Sequence, residues 1–169
     1  GNLTQSVRHD FKNTLSEMMI NNLYGKAGQI CRSNGLKINS ESGGPGFPLY
    51  NGPAEPLKAL GTVDIPRGEF WVNHSRFYND INFYGEPDSI DILRVVKEVS
   101  SASHIYQKGI VEEEAFTSFQ HWQEGPLDLK PLGDRAFCEG MNRVVFHGSS
   151  HSPDEFGYPG VVYHAGTHF

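Results

Sequence analysis

Three consecutive glutamates sit inside an apolar run in residues 109–118, GIVEEEAFTS, and no other stretch restricts the fold as much. The β-branched pair Ile110 and Val111 leads in and Ala115 and Phe116 follow, which predicts a strand with the charges inside it. Strand alternation then places Glu112 and Glu114 on one side and Glu113 on the other. Carboxylates that share a cavity raise one another's pKa, and burial raises each further. Two readings stay open from these residues alone. One is a strand end running into water, as most charge runs do; the other is a catalytic carboxylate at the C-terminal end of a strand.

The chain around this stretch has 169 residues, 37% hydrophobic and 12% aromatic, enough for one domain with a core and unlike a disordered segment. Its net charge of -6 and scattered basic residues argue against nucleic acid or an anionic membrane surface as a partner. No apolar run approaches the roughly 18 residues that a membrane helix needs, and no leader-like segment opens the sequence. Glycine (19) and proline (10) gather in long connections, so elaborate loops on a small scaffold are expected to carry the function. Cys31 and Cys138 show no CxxC spacing and read as small hydrophobes in helices rather than as a disulfide.

Apolar residues at Val7, Phe11, Leu15, Met18, Leu23, Ala27 and Ile30 predict one amphipathic helix over residues 4–33. Residues 36–42 alternate as a short strand ending at Glu41, and a Gly/Pro-rich loop follows, with a short helix at 54–60. A second strand is predicted over 62–65, running into PRGEFW, where Glu69 precedes two aromatics as in many sugar sites. Phe70 and Trp71 packed simply in a core is an equal alternative. Residues 72–87 read as a surface excursion, after which Asp88 or Ser89 caps a helix ending before Gly109. Past the glutamate strand, a helix over 128–141 with Pro131 in its first turn leads to a strand at 143–147.

The order of helices and strands is that of a parallel α/β fold with four strands. Glu41, Glu69, Glu114 and His147 are all placed at or just past a strand's C-terminal end, the active face of a (β/α)8 barrel. The Gly-rich phosphate loops that mark doubly wound nucleotide folds are absent. Four βα units amount to half a barrel, so residues 1–169 are expected to form one partial catalytic domain from a longer chain.

In order and spacing, the HDF of the first helix, SGGPG, VDIPRGEFW, EAFTS, DRAFCEGMNR, VVFHGSSHSP and YPG resemble glycoside hydrolase family 106, the bacterial α-L-rhamnosidases. The resemblance covers nearly the whole chain. It implies a (β/α)8 (TIM) barrel of which this chain supplies about strands five to eight, and an inverting hydrolysis of terminal α-L-rhamnosyl linkages by a general acid and a general base. The base is implied to be Glu114, directly before Ala-Phe-Thr, with Glu112 and Glu113 as neighbouring candidates. Glu69, Glu41, Trp71, His147 and His151 are the implied sugar contacts. Calcium in the pocket is also implied, and hard oxygen donors such as Glu41 and Glu69 would suit it. The family's acid motif, an Asp-x-x-Glu followed by Trp-Thr-Pro, does not occur here. The remaining half of the barrel is therefore the expected partner, and the chain alone is expected to be inactive. A full-length bacterial enzyme of this kind would be periplasmic or secreted.

Other functions compete with this one. A retaining barrel glycosidase resembling β-galactosidases would use Glu114 as nucleophile, and carboxylate separation would distinguish the two, at about 5 Å against about 6.5–9.5 Å. A non-catalytic carbohydrate-binding half barrel is a further reading. A zinc hydrolase on His147 and His151, with Asp154 or Glu155, is disfavoured because the HxxxH lies in a Gly/Ser loop rather than on a helix face.

Overall fold

The computed structural model describes residues 2–42, 53–71, 94–118 and 124–148. Along the chain these form α1 (Asn2–Met19), a π-helical turn (Ile20–Gly25), α2 (Lys26–Ser33), β1 (Asn39–Ser40), α3 (Pro56–Thr62), β2 (Ile65–Trp71), α4 (Arg94–Ile105), β3 (Glu112–Thr117), α5 (Pro126–Glu139) and β4 (Arg143–Phe146). The strands make one parallel sheet in the order β1-β2-β3-β4. Parallel neighbours need crossover connections, and helices α3, α4 and α5 lie between successive strands. A sequential order without reversal is consistent with a partial barrel.

Burial along β2 alternates strictly, with Pro66, Gly68 and Phe70 buried and Arg67, Glu69 and Trp71 partly exposed. Along β2 one face is thus apolar and the other polar. On the apolar face Phe70, Val96, Ala115, Phe116, Leu129, Ala136 and Met141 make one cluster that joins β2 and β3 to α4 and α5. Phe70 and Phe116 meet edge to face at 5.3 Å. A second cluster, Leu60, Val95, Val99, Ala102 and Val111, ties α3 to α4. Each Val, Leu, Phe or Met side chain among these contributes about 1.5–3 kcal/mol on burial. Helix α5 opens with Pro126, with the Asp128 carboxylate accepting the Gly125 N–H at 2.8 Å, and closes at Gly140 in the left-handed region, φ 118°. A β-carbon on Gly140 would stand 2.2 Å from Ser100 Oγ, so glycine is required there by space as well.

Several boundaries differ from the sequence reading. The second strand does not occupy 62–65: α3 continues through Thr62, and β2 runs over Ile65–Trp71. Proline commonly ends a strand, but Pro66 is the second residue of β2 and forfeits a single ladder bond. The first strand contracts to Asn39 and Ser40. The long first helix is interrupted by the π turn at Ile20–Gly25. Much of its expected buried face, Val7, Phe11, Met18, Leu23 and Ile30, is exposed, because among the described residues little packs over it. Helix α5 starts at Pro126 and not 128, which moves Pro131 from the first turn into the helix interior. The glutamate strand does not fray into water, since Glu112 and Glu113 are buried. Cys31 and Cys138 are free, and neither is fully buried. Residues 43–52 of the loop expected over 42–53, the excursion over 72–87, the helix cap at Asp88 or Ser89, and His151 with its loop lie outside the described residues.

Candidate active site

Strand register assembles the polar face in two layers. In the lower layer Arg67, Glu112 and Arg143 are partners across β2, β3 and β4. Glu112 accepts from Arg67 Nε at 2.6 Å and from Asn39 Nδ2 at 2.6 Å, and it pairs with Arg143 on the other side. Burial alone would raise the Glu112 pKa, but these hydrogen bonds and the charges of Arg67 and Arg143 outweigh it and hold the carboxyl below its usual range. Charge-assisted bonds of this kind offset desolvation only when the carboxylate is so fully satisfied. Glu112 is thereby committed to the structure.

The layer above holds the acidic cluster. Glu69 and Glu114 are register partners on β2 and β3, and Glu41 joins them from the residue after β1. One carboxylate oxygen from each lies within 4.8 Å of the others. Contrary to the strand-end placement read from the sequence, Glu69 lies two residues inside the end of β2 and Glu114 lies mid-strand in β3. Trp71 Nε1 donates to Glu69 Oε1 at 3.0 Å and holds that side chain. Arg67 reaches up to within 3.9 Å of Glu114, and His147 Nε2 stands 3.8 Å from its other oxygen. Positive charge is scarce for three carboxylates. Burial first, and then Glu69 and Glu114, push Glu41 up to about 7 against the pull of Arg67. Glu69 is also raised, by burial and by Glu114, although the Trp71 bond and His147 oppose this.

Glu113 points the other way, as alternation requires. It is wholly buried, with neither carboxylate oxygen hydrogen-bonded among the described residues, and burial together with Glu41, Glu69 and Glu112 raises its pKa well above the usual value. Of the triplet, Glu114 alone shares a cluster with Glu41 and Glu69.

The structure thus gathers Glu41, Glu69, Trp71, Glu114 and His147, while His151 lies outside the described residues. Sequence reasoning missed Arg67, Arg143 and Asn39 beneath the cluster, and Thr117, whose hydroxyl is 2.9 Å from His147 Nδ1. The arginines were findable: Arg67 precedes Glu69 by two residues and Arg143 precedes His147 by four, even spacings that put each on the strand face of that site residue.

A parallel sheet whose strands deliver clustered carboxylates to one face is the arrangement that barrel glycosidases use. The chain belongs to glycoside hydrolase family 106, alpha-L-rhamnosidase, whose pattern it matches over residues 2–169. It is similar to a Formosa agariphila protein named "Putative beta-glucuronidase", with 33% identity over 171 residues, spanning 100% of this chain and 13% of that protein. Among solved structures, the rhamnosidase from Novosphingobium sp. PP1Y superposes with a TM-score of 0.64 at 23% identity, over 83% of this chain and 12% of that one. That likeness shows the fold. The chain spans about an eighth of the length of these two relatives.

Proposed function

We propose that this chain is the base-carrying part of an inverting glycosidase that removes terminal α-L-rhamnosyl residues, with Glu114 as the general base. The observation that carries the reading is the division of labour in the triplet: Glu112 is saturated by Arg67, Arg143 and Asn39, Glu113 is buried on the opposite face, and Glu114 remains for chemistry beside Glu41 and Glu69. Family membership supports the sugar. Three crowded carboxylates also favour a neutral deoxy sugar over a glucuronide, whose own carboxylate they would repel. In this reading Glu114 takes a proton from the water attacking the anomeric carbon, Glu69 and the partly protonated Glu41 hold sugar hydroxyls, and Trp71 and His147 complete the wall. His151 is retained as a contact from the sequence motif.

The general acid comes from elsewhere in the full-length protein. Glu41 is not a good substitute, because its oxygen lies within 4.8 Å of Glu114, whereas an inverting pair needs about 6.5–9.5 Å to admit water and a glycosidic bond. The same closeness is what favours the second reading, a retaining enzyme with Glu114 as nucleophile and Glu41 as acid, since that pair would sit about 5 Å apart. The chain is read as strands five to eight of a barrel, with the remaining half as its partner, and the exposed stripe Val7, Phe11 and Met18 on α1 supports such a covering. Glu41 and Glu69 also fit a calcium ion: they are hard oxygen donors, both with pKa values raised by burial and by Glu114, and short of countercharge. When bound, the ion would supply positive charge for sugar hydroxyls. Export to the periplasm or beyond accords with an enzyme of glycan degradation.

The test is the full-length protein on an aryl α-L-rhamnoside, with the first-formed anomer followed by NMR. Inverted product, and a Glu114→Gln rate lower by about 10² to 10⁴, are expected. Retained configuration would replace the first reading by the second, and full activity in Glu114→Gln would remove both.

A further inference from the structure

Phe116 is a non-glycine residue in the left-handed region, φ 62°, inside a strand. Such a conformation costs on the order of 1–3 kcal/mol and persists only where its surroundings impose it. The register explains its presence. Phe70 pairs with Ala115, but the next residue of β2, Trp71, pairs with Thr117, so Phe116 is the extra residue of a β-bulge. Without the bulge, alternation from Glu112 and Glu114 would turn Phe116 toward the polar face and Thr117 toward the helices. With it, Phe116 joins Ala115 in the apolar cluster, packed between Phe70 at 5.3 Å and Phe146 at 5.8 Å. Thr117, fully buried, comes round to His147.

The contact formed there has a direction. Thr117 Oγ1 is 2.9 Å from His147 Nδ1, and His147 Nε2 is 3.8 Å from Glu114 Oε1. If Nδ1 carried the proton, the bare lone pair of Nε2 would face a carboxylate and be repelled. If the Thr117 hydroxyl donates to Nδ1, Nε2 carries N–H and its dipole faces Glu114 favourably. At 3.8 Å this is attraction without a hydrogen bond, so the N–H also stays open to a sugar hydroxyl. The His147 backbone is fixed beside the same bulge, its N–H donating to the Ala115 carbonyl at 3.3 Å.

We propose that Thr117 is a positioning residue: delivered to the polar face by the Phe116 bulge, its hydroxyl donates to Nδ1 of His147 and holds that imidazole with Nε2–H toward Glu114. This rests on the reading of Glu114 as the reacting carboxylate. The experiment is a cycle in the full-length protein, with Thr117→Val, Thr117→Ser, His147→Ala and the Thr117→Val/His147→Ala double variant compared with wild type on an aryl α-L-rhamnoside. Valine keeps the shape and removes the hydroxyl; serine keeps the hydroxyl. Thr117→Val should lower kcat about tenfold with KM little changed, the effect of losing one well-placed hydrogen bond. Thr117→Ser should recover most of that loss, and in the His147→Ala background Thr117→Val should cost nothing further. Equal losses from Thr117→Val with and without His147, or no rescue by serine, would overturn the positioning role while Glu114→Gln still reads out the base. An inactive wild type, or a fully active Glu114→Gln, would instead overturn the functional reading and this inference with it.

Discussion

Gly68 and Glu113 touch across β2 and β3 on the helix-facing side of the sheet: a β-carbon at Gly68 would lie 2.6 Å from Glu113 Oε2. It would also lie 2.5 Å from Val95 Cγ1 and 2.8 Å from Val99 Cγ2, in a fully packed core. The glycine makes room for a buried carboxyl group. Gly68→Ala is therefore expected to destabilise the protein by about 1–3 kcal/mol, as overpacking does. A denaturant midpoint unchanged from wild type would contradict the contact.

Burial holds Glu113 protonated well above the usual carboxylate range, and this gives its contribution to stability a sign. Between the ordinary value of 4.5 and the raised folded-state pKa, the folded protein binds more protons than the unfolded chain. Stability then falls as pH rises through that window, because the side chain must either hold its proton or carry a charge in the core. Glu113→Gln, neutral at every pH, should show a flatter pH dependence than wild type when unfolding midpoints are compared at about pH 5 and about pH 8. Parallel curves for the two proteins would mean that Glu113 is ionised in the fold.

Glu69 is held by Trp71 and faces Glu41 and Glu114, so its loss should weaken sugar binding at least as much as it slows chemistry. Hydrogen bonds from hydroxyls to a charged partner contribute roughly 1.5–3 kcal/mol, and calorimetry of rhamnose with Glu69→Gln in the full-length protein should show a loss of that order. With calcium at the proposed site, a chelator should lower the wild-type thermal midpoint and activity, and Glu69→Gln should respond less. Unchanged affinity together with unchanged calcium dependence would take Glu69 out of the site.

Residues 1–169 expressed alone should not turn over rhamnosides, even with Glu114 intact. Loss of the general acid removes about 10² to 10⁴ in rate. The exposed Leu3, Val7, Phe11 and Met18 of α1, and the edges that β1 and β4 form among the described residues, should also make the isolated chain dimerise or aggregate. Size in solution and an aryl α-L-rhamnoside assay with calcium present test this together. Robust turnover by a monomer would sink the missing-acid argument.

The local pattern of the sequence determined what depends on neighbours along the chain. The period of two in residues 109–118 separated Glu112 and Glu114 from Glu113, the alternation of helical and strand-like stretches indicated a parallel sheet, and the motif order indicated the family. It could not determine where β2 ends, because Pro66 and Gly68 both read as strand breakers until a neighbouring strand supplies bonds and a buried carboxyl fills the glycine's space. Nor could it rank the three glutamates. Glu112 is neutralised by arginines from two other strands, Glu113 by burial beneath α4, and Thr117 reaches His147 only because β3 bulges against β2. Those outcomes depend on the register between strands and on desolvation by distant residues, quantities that come into existence only when segments far apart in the chain pack together.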